Sequence, residues 1–541
     1  MYTVANYLLD KISKLGVKKI FGVPGDFNLE FLDFILKNDK LDWVGSVNEL
    51  NAAYCADGYA RVNGVGVVVT TYGVGELSAI NGIAGSYSED IPIIHIVGVP
   101  PSFLVNSNKV VHHTLGNYKF DEFKKIYENV TCHQVWIDFI NPIDQINSAI
   151  QSCIIYKKPI YIMLPTDVMK MEIGPINRDI YFPTIYDFES VNNVTNDLYN
   201  KIKNSKQAVI IAGNKITSYR LKKYFNRFVN NAKISVVNTM YGKSSFDESN
   251  DFFAGIYIGK NTADKQLQEF VDNADLIISV GNKFTDLSSS NFQLGFNKEK
   301  MFIIDDKCVC YDGKQIDNIL LNSVVKKLSN MEFNYDGINY KAKNILSKSV
   351  DPKDKITYDD FYSILNSTIS NDDIVVSDMG TCSFAAQYLN LKENTEFIMQ
   401  PLYASIGFSL PASIGVKMAK WNSRVINIIG DGAFNMTLNE IATIVRNKIP
   451  MITFLINNKG YTIERVIHGP NEIYNDIGVI DYSKLLEGFD NKNRHILYFD
   501  ILTNEDLLNC LIKISDIDDK YIFVNVNIDP LDIPKSLKSV F

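Results

Sequence analysis

No uninterrupted apolar run in this chain approaches the ~18 residues that a membrane span requires, so a membrane-embedded protein is not expected. A basic excess is missing too. The 54 Lys and Arg stand against 62 Asp and Glu, and the net charge of −8 is spread along the chain. A nucleic-acid binder would carry a basic patch or a high pI. Cysteine is scarce and scattered, at 55, 132, 153, 308, 310, 382 and 510. Cys308 and Cys310 form a C-x-C pair without a second pair nearby, so a zinc cluster is not expected. Free thiols in a reducing cytoplasm are the expectation. The opening residues MYTVANYLLD start an amphipathic helix and lack the basic region and apolar core of a secretory signal. Cytoplasmic residence follows as a second expectation.

At 541 residues the chain exceeds one compact core, and its length suggests about three domains. Short apolar runs recur: KIFG (19–22), 65–71, IIHIVG (93–98), 160–165, AVIIAG (208–213), LIISVG (276–281), VINIIG (425–430) and 451–457. Each leaves through a Gly- or Pro-marked turn into an amphipathic stretch. Continuous apolar strands alternating with helical patterns predict parallel sheets covered on both faces. The pattern restarts rather than running on as one sheet. Segments 174–190 and 332–360 are polar, charged and Pro-bearing, and look like linkers. The fold class expected is therefore α/β, with three doubly wound parallel-sheet domains at 1–180, 190–340 and 355–541.

Two motifs in the last third fall at carboxyl ends of strands, where open α/β sheets bind ligands. Gly430-Asp431-Gly432 follows VINII and leads toward a helical stretch at 438–446. Asn457-Asn458-Lys459-Gly460-Tyr461 follows MITFLI after twenty-four intervening residues. The Asp431 carboxylate and Asn458 amide are hard oxygen donors suited to Mg²⁺ or Ca²⁺. Gly432 lets backbone approach a phosphate closely. Alone, either motif is a common turn; the pair on two strand ends is specific.

The first third carries Phe21-Gly22-Val23-Pro24-Gly25-Asp26-Phe27-Asn28, then NELNAAY (48–54), ADGYAR (56–61) and TTYGVGEL (70–77). Gly73-Val74-Gly75 is not a dinucleotide fingerprint, because Ser78 stands at the third glycine position. An adjacent pair, His112-His113, lies in KVVHHTLG, and Glu464 lies in GYTIE (460–464). Together these segments resemble the thiamine-diphosphate-dependent 2-oxo acid decarboxylases of the pyruvate, indolepyruvate and branched-chain type, and the similarity runs over nearly the whole chain.

That resemblance implies pyrimidine-binding, central and diphosphate-binding domains, with thiamine diphosphate and Mg²⁺ as cofactors. Asp431, Asn458 and the Gly460 carbonyl would hold the metal. Glu49 would meet the aminopyrimidine and drive it toward an imine, the internal base that ionises the thiazolium; a carboxyl buried against a ring has reason to hold its proton. The cofactor's other neighbours would be Pro24, Thr71, Val74, His113, Gly380, Thr381, Ser405, Ile406, Gly430, Gly432, Ala433, Tyr461 and Ile463. The reaction implied is ylide addition, loss of CO₂ to an enamine, then protonation and aldehyde release. Asp26, His112, His113 and Glu464 would move the protons. Ser383, Phe384, Leu402, Ile463 and Ile467 would line the substrate pocket. Isoleucine at 463 and 467 leans toward pyruvate, whereas Ser383 enlarges the site toward branched or aromatic acids; a methylene changes such discrimination by only ~1–3 kcal/mol. In this family two chains sandwich each cofactor, which implies a dimer or tetramer. A carboligase of the acetolactate synthase type is the alternative, but it would lack the histidine pair and Glu464. A nicotinamide enzyme would need a glycine loop that is missing here. Four positions depart from the family pattern: Lys459 replaces a frequent Asp, Tyr403 a frequent Trp, Asp378 the first residue of E-[TQ]-G, and Ser383 an aromatic residue or Ala.

Overall fold

The structure, a computed structural model, describes every residue except 1, 106, 108, 175–179, 181–187, 347–348, 493 and 539–541. The described residues build three sheets flanked by helices. Across the first sheet the strands lie in the order Asp42–Gly45, Lys19–Gly22, Gly66–Thr71, Ile93–Val99, Ile160–Pro165, His133–Trp136, all parallel. The last sheet repeats this topology with Glu396–Ile398, Ile374–Ser377, Val425–Gly430, Met451–Asn457, Tyr521–Asn527 and Ile496–Ile501. Their inner strands are buried along their whole length, as at Gly66–Thr71, Ile93–Val99 and Ile160–Pro165. Helices on both faces require this, and it is why these segments read as unbroken apolar runs rather than alternating ones.

The central sheet has seven strands and departs from the all-parallel expectation at one edge. Cys308–Tyr311 and Lys314–Asp317 form an antiparallel hairpin beside Met301–Ile304. Its two-residue turn is Asp312-Gly313, with φ of +50° and +72°. Both residues in the left-handed region are what a twist-matched hairpin turn demands, and Asp-Gly is a favoured pair for it.

Of the two segments expected to be linkers, 175–179 and 181–187 lie outside the described residues, and the helix Phe188–Asn204 already begins inside the first. The second, 332–360, is irregular up to the helix Tyr358–Asn366 but is fastened to the central domain. The Ala208 amide donates to the Tyr335 hydroxyl (2.9 Å) and the Ser235 amide to Asn339 Oδ1 (2.8 Å).

The first and last domains meet where helix Glu49–Asn63 crosses helix Ser409–Ala419. A Cβ on Gly58 would lie 2.1 Å from the Ala412 carbonyl oxygen, and one on Gly415 only 1.8 Å from that of Cys55. Two backbones can approach so closely only because glycine has no side chain at either crossing point. No helix among the described residues is long and apolar enough to cross a membrane.

Candidate active site

The first sheet delivers one set of groups at its carboxyl end. Asp26 follows the strand Lys19–Gly22, and Thr71 ends the strand Gly66–Thr71. Glu49 opens its helix behind the cap Asn48, whose side chain accepts from the Asn51 amide (2.8 Å). Asp26 Oδ2 lies 2.5 Å from His112 Nε2, and Oδ1 3.5 Å from His113 Nε2. Phe27 stacks on the His112 ring at 4.9 Å and meets His113 edge-on at 6.1 Å. His113 has φ +65°, and its carbonyl presses on Gly73, where a Cβ would be 2.0 Å away. The histidine loop is thereby locked onto the Thr71–Val74 loop. All three acid–base candidates remain open to solvent, with Asp26 46%, His112 60% and His113 30% exposed.

Glu49 is half-buried, and burial pushes its carboxyl above the usual carboxylate range. Its Oε1 would lie 3.2 Å from a Cβ on Gly75. Thr71 Oγ1 is buried without a partner, so a hydroxyl at an expected cofactor contact is left unpaired. Pro24 and Val74 are exposed.

The last sheet delivers the second set. The helix expected at 438–446 begins earlier: Asp431 itself opens Asp431–Thr437, followed by a single 3₁₀ turn, Leu438–Glu440, and then Ile441–Asn447. Asp431 accepts from the amides of Gly432 (2.7 Å) and Gly460 (3.2 Å), and burial pushes its carboxyl up to about 6. Lys459 at φ +60° and Gly460 at φ +146° make the turn that brings the Gly460 amide to this carboxylate. The Asn458 amide oxygen then lies 3.2 Å from Asp431 Oδ1 and 2.8 Å from the Gly460 carbonyl oxygen. Three oxygens converge with no proton between them. Either the amide turns over, or a cation sits among them, and this hard-oxygen set is what Mg²⁺ takes. Gly432 faces the Tyr461 ring, which a Cβ there would strike at 2.4 Å.

Beside it, Gly380 at φ +111° faces open space, and the hydroxyl of buried Thr381 lies 2.6 Å from that of Tyr358. Asp378 is fully buried and pushed up to about 6 by burial. It accepts from the amides of Met379, Gly407 and Ser409 (3.0, 3.1 and 2.8 Å), so it fastens the loop holding Ser405 and Ile406. Ser405 Oγ lies 2.6 Å from the Tyr54 hydroxyl. Gly430 is open on its Cα side, and Ala433 is buried behind it. Glu464, in the first turn of Thr462–Ile467, is exposed; Ile463 is half-buried and Ile467 exposed. Ser383 is fully buried and donates to the Gly380 carbonyl (2.8 Å); Phe384 is buried and Leu402 exposed. The cavity where the three domains meet, lined by Arg61, Glu89, Tyr241 and Met399, contains none of these expected pocket residues. Among the described residues, no hydrogen bond or ion pair joins Glu49, Asp26, His112 or His113 to Asp431, Asn458 or Glu464.

Sequence reasoning gave Asp378 no role, and it missed Tyr358. Tyr358 touches residues 23 and 100 positions away, so no local motif could have marked it.

Comparison with known proteins bears on the same regions. Residues 2–122 match the N-terminal TPP binding domain of thiamine pyrophosphate enzymes, 195–311 their central domain, and 378–503 their C-terminal TPP binding domain. The chain is 31% identical to the alpha-keto-acid decarboxylase of Mycobacterium leprae, over 100% of this chain and 95% of that one. It is 34% identical to pyruvate decarboxylase isozyme 3 of Saccharomyces cerevisiae, over 91% and 89%. The chain belongs to the thiamine-diphosphate-dependent 2-oxo acid decarboxylases. As a member of that family it is a lyase that uses thiamine diphosphate to decarboxylate a 2-oxo acid without oxidation. A solved structure, the thiamine diphosphate-dependent 4-hydroxybenzoylformate decarboxylase of Rhodococcus jostii RHA1, shares the decarboxylase fold with a TM-score of 0.80 at 18% identity, covering 97% of this chain and 99% of its own.

Proposed function

We propose that this decarboxylase acts on pyruvate and on longer aliphatic or aromatic 2-oxo acids, with Mg²⁺ as its metal and with Asp26, His112, His113, Glu49 and Glu464 as its proton-moving groups. The observation that carries the reading is the Asp26–His112–His113 cluster, exposed and fixed within hydrogen-bond reach at a strand end. Acid–base work needs such a set of carboxylate and imidazoles around one reacting carbon.

Asp431, Asn458 and the Gly460 carbonyl are the proposed Mg²⁺ ligands, because their oxygens already converge. When bound, thiamine diphosphate supplies a nucleophilic thiazolium carbon and then an electron sink for the pair that CO₂ leaves behind. Glu49, its carboxyl raised by burial, would hold the aminopyrimidine and share a proton with it. Glu464 faces the departing carboxylate. Asp26 and His113 return one proton to the reacting carbon and assist release, and His112 holds Asp26. The net change is 2-oxo acid plus a proton to aldehyde plus CO₂. Ser383, Phe384, Leu402, Ile463 and Ile467 line the pocket in this reading, and relatives named for pyruvate and for alpha-keto acids fit a broad choice of substrate. The domains are 1–180, 190–340 and 355–541. The protein works in the cytoplasm as a dimer or tetramer, each site built from the first domain of one chain and the last of another.

The test follows aldehyde with coupled alcohol dehydrogenase, with and without Mg²⁺ and thiamine diphosphate, across pyruvate, 2-oxoisovalerate, 4-methyl-2-oxopentanoate, phenylpyruvate and indolepyruvate. Metal-dependent aldehyde from several of these is expected. Aldehyde from pyruvate alone would remove the broad pocket. Acetolactate or acetoin in place of aldehyde would favour a carboligase.

A further inference from the structure

Tyr358 is wholly buried, and its hydroxyl sits between two residues of the proposed site. Asn458 Nδ2 is 2.9 Å away on one side and Thr381 Oγ1 2.6 Å on the other. A phenol has one proton to give, and a threonine hydroxyl has one. The three groups therefore form a relay whose direction is set at either end.

When Asn458 turns its amide oxygen toward Asp431 and the Gly460 carbonyl, its NH₂ donates to the phenol oxygen. The phenol proton must then go to Thr381, and the Thr381 proton is released from the relay. With the amide turned over, its oxygen takes the phenol proton instead. The phenol oxygen then accepts from Thr381, whose proton is spent inside the protein. Thr462 sides with the first arrangement. Its proton is already given to the Pro530 carbonyl (2.9 Å), so its oxygen, 2.8 Å from the amide nitrogen, is free to accept and not to donate.

We propose that Tyr358 couples cation binding at Asn458 to diphosphate binding at Thr381. A cation fixes the amide oxygen toward itself, which sends the phenol proton to Thr381 and frees the Thr381 proton for a diphosphate oxygen. The inference rests on the assignment of Asp431, Asn458 and Gly460 to the metal and of Thr381 to the diphosphate. Coupling of this kind is reciprocal, so the diphosphate favours the metal by the same factor. Tyr358 is a positioning residue: it meets neither metal nor cofactor and acts through the two residues that do.

The experiment titrates thiamine diphosphate into the cofactor-stripped full-length protein, following intrinsic fluorescence, with and without saturating Mg²⁺. The quantity read is the ratio of the two affinities. Tyr358→Phe should cut that ratio roughly tenfold, the usual effect of one buried hydrogen bond to a charged or polar site. Thr381→Val should weaken binding mainly when Mg²⁺ is present, and the double variant should have the ratio of the single ones. Tyr362→Phe removes a hydroxyl from the same helix, one bonded to the Cys382 carbonyl, and should leave the ratio unchanged. A ratio kept by Tyr358→Phe, or effects of the two variants that multiply, would overturn the coupling while leaving the metal site standing. If Tyr358→Phe does not fold, Thr381→Val decides: equal weakening with and without Mg²⁺ overturns the coupling. A wild-type ratio near one would overturn the metal assignment, and the inference with it.

Discussion

At the scale of single residues, burial decides which carboxyls are raised above the usual carboxylate range. Glu49 is raised by burial alone, opposed only by a backbone hydrogen bond. Glu49→Gln keeps the shape and loses the exchangeable proton. Turnover should fall on the order of 10²–10³-fold, within the range of a lost general acid–base group, while thiamine diphosphate affinity measured by fluorescence changes far less. An unchanged turnover would remove Glu49 from the proton path. Residues of this kind were legible in the sequence because their motifs are local. Asp431, Asn458 and Gly460 sit in two short turns, each read from a strand end and a glycine. Tyr358 was not legible, because its contacts exist only after two distant strand ends and a helix are brought together. The buried hydroxyl of Ser383 was equally out of reach, since the helix turn Thr381–Ala386 that folds it onto the Gly380 carbonyl is too short for periodicity to predict.

At the scale of elements, the loop that meets His113 is held from beneath. Glu76, in the first turn of helix Val74–Ser88, accepts from the Gly73 amide (2.6 Å) and from the Tyr161 hydroxyl. It is wholly buried, and burial pushes its carboxyl up to about 7. Between about pH 4.5 and about 7 the folded chain therefore holds a proton that the unfolded chain has lost, so this group's contribution to stability falls as pH rises. Tyr161 and Tyr127, packed against it, remain protonated throughout because burial beside Glu76 raises both. Glu76→Gln removes the titration. Relative to that variant, the wild type should lose up to about 3 kcal/mol between about pH 5 and about pH 8, read from denaturant unfolding at each pH. A difference that stays flat would mean that Glu76 does not titrate there. The inner strands were plain in the sequence as apolar runs; edge strands such as Lys314–Asp317, with mostly exposed residues, offered no such run. The Asp312-Gly313 turn was the available signal. The crossing of helices Glu49–Asn63 and Ser409–Ala419 gave none, because both are buried nearly all round and show no polar face. Gly415→Ala should cost about 3 kcal/mol or more, since backbone rather than a yielding side chain blocks the new methyl. Thermal unfolding with no loss at Gly415→Ala would mean that the helices can part without cost.

At the scale of the whole molecule, the restarting pattern announced three units, and the repeated strand order in the first and last sheets explains why two of them place their groups alike. Each presents residues at the carboxyl ends of its strands: the proposed acid–base groups on one, the proposed metal ligands on the other. Within one chain, no hydrogen bond or ion pair among the described residues joins the two sets. Complementation distinguishes a site made by one chain from a site shared by two. Chains carrying Glu49→Gln and chains carrying Asp431→Asn are each expected to be nearly inactive. Co-expressed with different tags, they form mixed dimers. If each site takes Glu49 from one chain and Asp431 from the other, a mixed dimer has one site with both substitutions and one with neither. Purified through both tags, it should recover about half of wild-type turnover. If each site is built within a single chain, every site in that dimer carries one substitution and none recovers. Activity that stays at the level of the parents in a doubly tagged preparation would therefore rule out the shared site, and Glu49 and Asp431 would have to meet within one chain through a movement of its first and last domains across the glycine crossing.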